Sequence, residues 1–127
     1  MKKIILAFVL LFAGMTSSYA YNNGVGVFAA SLDSQSGYLP TEDTEFVNIN
    51  ATCPIFYRTS FTTGALGYSS PASAYAYLRD GGSYVAWTNF NGTVSGTASG
   101  TFTGYWSTLE LKISCAVNAI GLAELMW

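Results

Sequence analysis

No histidine occurs among the 127 residues of this chain. Imidazole moves most protons near neutral pH and is the commonest zinc ligand, so a catalytic triad or dyad built on it is excluded. Cysteine is nearly as scarce. Cys53 and Cys115 are the only two, and they are not spaced C-x-x-C, which leaves a thioredoxin-like oxidoreductase without its motif. Charge is also sparse, at 9% of residues, with 5 Lys and Arg against 7 Asp and Glu. Nucleic acids and anionic membranes are bound by clustered cations, so neither is an expected partner. No G-x-G-x-x-G or G-x-x-x-x-G-K-[ST] run offers a phosphate cradle. Nothing in the composition asks for a cofactor.

What the chain does have begins at its N-terminus. Lys2 and Lys3 precede an almost unbroken apolar run from Ile4 to Met15, and Ser18-Tyr19-Ala20 has the small-x-small form of a cleavage site. This is the layout of a secretory leader, expected to be removed after Ala20. An uncleaved anchor is the weaker reading, because the apolar core is short. No cysteine near that point is available to carry a bacterial lipoprotein anchor. Removing twenty residues from 127 leaves 107, enough for one domain over 21–127. Only Arg58, Arg79 and Lys112 then remain as cations against seven carboxylates, a net charge of −4 where the whole chain has −2. No later apolar stretch approaches the ~18 residues that span a bilayer, so the protein is expected to be secreted or periplasmic.

Hydrophobic residues make up 50% and aromatics 16%, a composition that folds. Val25, Val27 and Ala29 alternate with Gly26 and Phe28 as a first strand reaching about Leu32. Asp33 to Asp43, with Gly37 and Pro40, reads as a loop. Val47, Ile49, Ala51 and Cys53 share one face of a strand, with Asn48, Asn50 and Thr52 on the other. Pro54 interrupts it, and Ile55 to Phe61 continues it or starts another. Ser70 as a cap, Pro71, the unbranched run Ala72 to Arg79 and a stop at Gly81 read as one short α-helix. Ser83 to Phe90 is an aromatic strand closed by the turn pair Asn91-Gly92. Three tetrapeptides follow, Gly92-Thr93-Val94-Ser95, Gly96-Thr97-Ala98-Ser99 and Gly100-Thr101-Phe102-Thr103. They read as a flat strand with a threonine ladder or, more blandly, as a flexible loop. Leu109, Leu111, Ile113 and Cys115 alternate with Glu110, Lys112 and Ser114. Val117 to Trp127 adds a last strand after a turn near Asn118.

The expected fold is therefore mainly β: a small antiparallel barrel or sandwich, OB-like among the options, of roughly six to seven strands with one short helix. A pilin-like immunoglobulin sandwich is the runner-up. Each cysteine ends an alternating strand in phase with its aliphatic face, so a Cys53–Cys115 disulfide is expected in an oxidising compartment, worth about 4 kcal/mol by loop entropy. Two free buried thiols, or an intermolecular bridge, are the alternative.

Candidate sites are few. Glu45 and Glu110 on different strands are the nearest approach to a glycosidase pair, but a solvated or ion-paired Glu110 is the plainer reading. Asp33, Glu42, Asp43 and Glu45 read as a solvated acidic loop, without the ligand pattern of a calcium site. Tyr68, Tyr75, Tyr77, Tyr84, Trp87, Phe90, Tyr105 and Trp106 crowd the second half of the chain. Some fill the core; others must be exposed. Exposed Tyr and Trp beside Asn, Ser and Thr suit sugars and protein partners. Tyr75, Tyr77, Tyr84, Trp87, Tyr105 and Trp106 are the candidate binding residues.

The helix from Pro71 to Arg79, the turn Asp80-Gly81-Gly82 and the strand Tyr84 to Phe90, in a small exported chain, together resemble the middle of bacterial toxin B-subunits with OB-type barrels. That resemblance implies a non-catalytic, oligomeric glycan binder. The competing expectations are a periplasmic inhibitor or immunity protein, with its acidic loop aimed at a basic partner, and a structural subunit of a surface fibre that polymerises through an unpaired strand edge.

Overall fold

The computed structural model describes residues 21–31, 41–63, 72–92, 96–117 and 119–127. The leader, most of the loop at 33–43 and Tyr68 lie outside the described residues. Six strands are present among the described residues: β1 (Gly24–Ser31), β2 (Glu42–Thr63), β3 (Ala72–Asp80), β4 (Ser83–Gly92), β5 (Gly96–Val117) and β6 (Ala119–Met126). All pairings are antiparallel, in the order β1-β6-β2-β5-β3-β4.

Two strands of 22 residues, β2 and β5, form a ribbon that runs through the whole fold. Their halves have different neighbours. Phe56–Thr63 of β2 pairs with β6, whereas Leu109–Val117 of β5 pairs with β3. One layer is therefore β1, β6, late β2 and early β5; the other is early β2, late β5, β3 and β4. The layers meet face to face. Cys115 Sγ lies 3.5 Å from the Ala29 carbonyl oxygen on β1, the Tyr57 hydroxyl is 3.2 Å from Thr88 Oγ1 on β4, and the Phe61 ring stacks on Phe90 at 5.9 Å. The result is a β-sandwich, with a core that includes Val27, Ile55, Leu78, Leu109, Leu111, Ile113 and Leu125.

The ribbon changes layers at a bulge. Between the pairs Asn48↔Thr108 and Ala51↔Trp106, Ile49 and Asn50 of β2 oppose Ser107 alone. Such an insertion bends and twists its strand. It also shifts parity on β5: Leu109, Leu111, Ile113 and Cys115 face the core after the bulge, but Phe102 and Trp106 before it. Asn50 takes a left-handed φ of 52° there. Asparagine tolerates this conformation and β-branched residues do not. Asn50→Gly should leave the urea midpoint unchanged or raise it, and Asn50→Val should lower stability by about 1–2 kcal/mol. Equal midpoints for the Val variant and wild type would show that the bulge carries no such demand.

Three expectations are corrected. The helix over 71–79 is strand β3 in its described part. Ala74, Ala76 and Leu78 are buried, while Tyr75, Tyr77 and Arg79 face outward. Alanine's helical preference concealed a period of two, and packing between the layers overrides local propensity. Gly81, read as a helix stop, instead supplies a φ of 59° at the first central position of the β3–β4 hairpin. The resemblance to toxin B-subunits depended on that helix and is lost with it.

The disulfide is the second correction: both cysteines are free. Cys53 lies opposite Gly104, and 115 − 104 places Cys115 eleven positions further along β5. At about 3.4 Å per residue that is tens of ångströms of strand, against a Cα separation of ~7 Å that a bridge tolerates. Matching phase on two strands fixes the face and says nothing of position along it. Burial pushes the Cys115 thiol up to about 12. A reductant should leave the melting temperature unchanged, and iodoacetamide at pH 8 should spare Cys115 until the protein unfolds. A drop of many degrees on reduction would restore the bridge.

The third correction concerns Glu42, Asp43 and Glu45, which belong to β2 and not to a solvated loop. Asp43 accepts the Phe28 N–H at 3.1 Å, and Glu42 pairs with Lys112 at 3.4 Å. Gly96-Thr97-Ala98-Ser99 and the tetrapeptide after it are ordered in β5, and Asn91-Gly92, read as a turn pair, are instead the last residues of β4, opposite Ser73 and Ala72.

An aromatic face on the outer side of the sandwich

The outer side of the β4-β3-β5-β2 layer is built from rows of cross-strand neighbours. Asn89, Tyr75, Ser114 and Glu42 form one row; Trp87, Tyr77, Lys112 and Thr44 the next; Tyr84, Arg79, Glu110 and Phe46 a third. On β3 the aromatic spacing is i, i+2, so Tyr75 and Tyr77 share a face on a strand where a helix would have parted them. Tyr84 and Trp87 are three apart and would normally oppose each other. A bulge corrects this: Leu78 pairs with Ala86 but Arg79 pairs with Tyr84, so Val85 is the extra residue and Tyr84 swings onto the aromatic side.

Four rings gather there. Trp87 stacks on Tyr75 at 5.2 Å and on Tyr77 at 5.8 Å, with planes within 9° of parallel. Tyr84 stands edge-on to both Tyr77, at 5.5 Å, and Trp87, at 5.4 Å. Tyr77 is buried beneath its neighbours, Tyr75 is half-buried, and Trp87 and Tyr84 keep 52% and 57% of their surface exposed. Two exposed rings therefore meet near a right angle, 87° between planes, over a buried third.

A polar network holds the buried ring. The Tyr77 hydroxyl donates to Glu110 Oε1 at 2.9 Å, and Arg79 Nε donates to Glu110 Oε2 at 2.9 Å, with Nη2 on the same oxygen. The Arg79 guanidinium also lies over the Tyr77 and Tyr84 rings, at 5.4 and 5.9 Å. Burial, and then the bond to Glu110, push the Tyr77 hydroxyl up to about 12. The hydrogen bonds that Arg79 donates to Glu110 raise the guanidinium above its ordinary value as well. Beside them Lys112 is paired with Glu42, which also accepts from the Ser114 hydroxyl at 3.3 Å. Both cations of the patch thus have a carboxylate partner, leaving it close to neutral.

Four of the six expected binding residues, Tyr75, Tyr77, Tyr84 and Trp87, come together here. The other two do not. Tyr105, 62% exposed, sits opposite Thr52 on the other side of the bend, and the Trp106 indole N–H donates to the Cys53 carbonyl at 2.8 Å while its ring packs on the core. Arg79 and Phe46 escaped sequence reading, and Phe46 is 66% exposed on this same side. Its even position in an otherwise alternating strand was the available signal. Glu110 is indeed ion-paired, with Arg79 across the strands. Glu45 pairs with Leu111 and Phe46 with Glu110, so Glu45 and Glu110 lie on opposite faces and form no carboxylate pair. Among the described residues no group of three or more acidic or cysteine side chains is arranged to hold a metal ion.

No known protein family and no curated protein matches the chain. Similar solved structures include the pre-peptidase C-terminal domain of collagenase from Bacillus anthracis, 18% identical over 83% of this chain and 87% of that one, with a TM-score of 0.46. The C-terminal CBM6 of a laminarinase from Zobellia galactanivorans is 9% identical over 83% of this chain and 100% of that one, with a TM-score of 0.44. A sugar-binding C-terminal domain is 16% identical over 82% and 79%, with a TM-score of 0.41. At such scores none of them fixes the activity of this chain.

Proposed function

We propose that this protein is an exported, non-catalytic binding module that takes a neutral glycan on the corner formed by Trp87 and Tyr84. The observation that carries the reading is the perpendicular pair of exposed rings, 5.4 Å apart, seated on a buried tyrosine that is locked by Glu110 and Arg79. A sugar ring offers an apolar C–H side to one aromatic face and hydroxyls to its surroundings. Asn89 and the carboxylate–cation pairs are the hydrogen-bonding groups within the same rows. Their mutual neutralisation favours an uncharged ligand over an anionic one, since an anion would compete with Glu110 and Glu42 for each cation. Rigid, pre-ordered rings lower the entropy lost on binding.

The test is a glycan array followed by calorimetry on the best ligand. Trp87→Ala should weaken binding by about 2 kcal/mol, roughly thirtyfold, as truncation of a central aromatic anchor does. Tyr84→Ala should act alike, with melting temperatures near wild type because both rings are half exposed. Unchanged affinity in both variants refutes the site. Phe46 supports a second reading, a protein partner, because a bare phenyl ring exposed beside Glu110 has no hydroxyl or indole N–H to serve a sugar. Loss of a captured protein, but of no glycan, in Phe46→Ala would favour that partner.

A further inference from the structure

We propose that the first half of β5 joins two copies of this protein edge to edge, antiparallel and about a two-fold axis, into a closed dimer. From Gly96 to Trp106, β5 pairs with β2 on one side, and no ladder occupies its other side among the described residues. Backbone N–H and C=O groups along such an edge are ready to pair with another strand, and natural edges are usually guarded by charge, proline, a bulge or a cap. This one is capped at its far end, where the Asp80 carboxylate accepts from Ser107, but Gly96 to Trp106 contains no charged residue and no proline.

The other edges are guarded, and that selects the occupant. On β1 the Phe28 N–H is already taken by the Asp43 carboxylate, and Ser31 Oγ donates to the Ala116 carbonyl at 2.8 Å. Early β2 carries Glu42, Asp43 and Glu45 within four positions. β4 is bent by its bulge at Val85. Joining β5 to any of these would be head-to-tail and would build a ring or a filament, whereas joining β5 to β5 uses one patch twice and closes at two. The strand is self-complementary for that purpose. Thr97, Ser99, Thr101 and Thr103 are exposed on one side, and Gly96, Ala98, Gly100 and Phe102 are half-buried on the other. A two-fold axis at Gly100 sets Thr97 opposite Thr103, Ser99 opposite Thr101 and Ala98 opposite Phe102, pairing hydroxyls with hydroxyls and small with large. The aromatic face belongs to the other layer, so this contact does not draw on the proposed glycan site.

Sedimentation of the protein, leader removed, tests the proposal with a charge-swap pair. Wild type should sediment as a dimer at high micromolar concentration. Thr97→Lys with Thr103→Lys places like charges opposite each other across the axis and should raise the dimer Kd by about tenfold or more. Thr97→Glu with Thr103→Glu should do the same, and mixing the two variants should restore a dimer. Gly82→Lys with Ser83→Lys, at the exposed hairpin turn, should leave dimerisation as it is, and thermal melts check that each variant is folded. A monomeric wild type overturns the proposal. So does a dimer that the Lys variant preserves, or a mixture that fails to pair.

Discussion

Gly121→Val should abolish cooperative folding at ordinary temperature, and Gly121→Ala should lower the melting temperature by ten degrees or so. Gly121 lies on β6, between the buried Ala119 and Ala123, in a row of small residues that faces the opposite layer. A Cβ placed there would stand 2.6 Å from Ile113 Cδ1 and 2.8 Å from Phe61 Cδ1. Ile113 belongs to β5 in the other layer, so the glycine is a point of close approach between the two sheets. Neither neighbour yields easily. Ile113 is fully buried, and Phe61 is buried and stacked on Phe90. Overpacking of this kind costs about 1–3 kcal/mol for a single added group, and more for a branched one. In a domain of this size, with about 5–10 kcal/mol of total stability, each kcal/mol moves the midpoint by ~4–8 °C. Ile113→Val removes the atom nearest the intruding methyl, so the Gly121→Ala/Ile113→Val double variant should recover part of the loss. Calorimetry of the three proteins decides the matter: strictly additive penalties would mean the two residues are not in contact.

Much of this architecture was legible because a half-buried strand states its period directly. The alternation around Leu109 to Cys115 and the last apolar strand are both observed, as β5 and β6. Two kinds of information were not. Alternation gives the face of a residue but not its partner, which is why Cys53 and Cys115, both core-directed, were joined although the antiparallel register holds them apart. The second is the effect of bulges. One at Asn50 turns the parity of β5, and one at Val85 moves Tyr84 to the side of Trp87; neither position carries a sequence mark stronger than a single asparagine or valine. The aromatic face was therefore guessed as a composition and became a site only once β3 was a strand. Its polar half, Arg79 with Glu110, depends on a cross-strand pairing between residues 31 positions apart, which no local pattern encodes.

Stability should fall as the pH rises from about 4.5 to 7, and Glu124→Gln should remove that fall. Glu124 is fully buried on β6, and neither carboxylate oxygen has a hydrogen-bond partner among the described residues. Its cross-strand neighbours are Gly26 on β1, which offers no side chain, and Arg58 on β2. Burial raises its pKa from 4.5 to about 7, with the Arg58 charge pulling the other way but not prevailing. The sign follows from which state holds the proton. Below pH 4.5 both folded and unfolded chains carry a neutral carboxylic acid, so nothing is lost. Between 4.5 and 7 the unfolded chain ionises while the folded one keeps its proton, and every step upward favours unfolding. Above 7 the folded carboxyl ionises too and the loss levels off, at about 3 kcal/mol for a gap of this width. Glutamine keeps the shape of the protonated acid at every pH. Its variant should match wild type near pH 4.5 and be more stable at pH 8 by about 2–3 kcal/mol, a midpoint difference of about ten degrees or more. Arg58→Met should carry the fall to higher pH and deepen it, because the only cation facing the carboxylate among the described residues is then gone. The comparison of wild type with Glu124→Gln cancels the other carboxylates, so parallel pH profiles for the two proteins would mean that Glu124 is ionised and solvated in the folded state.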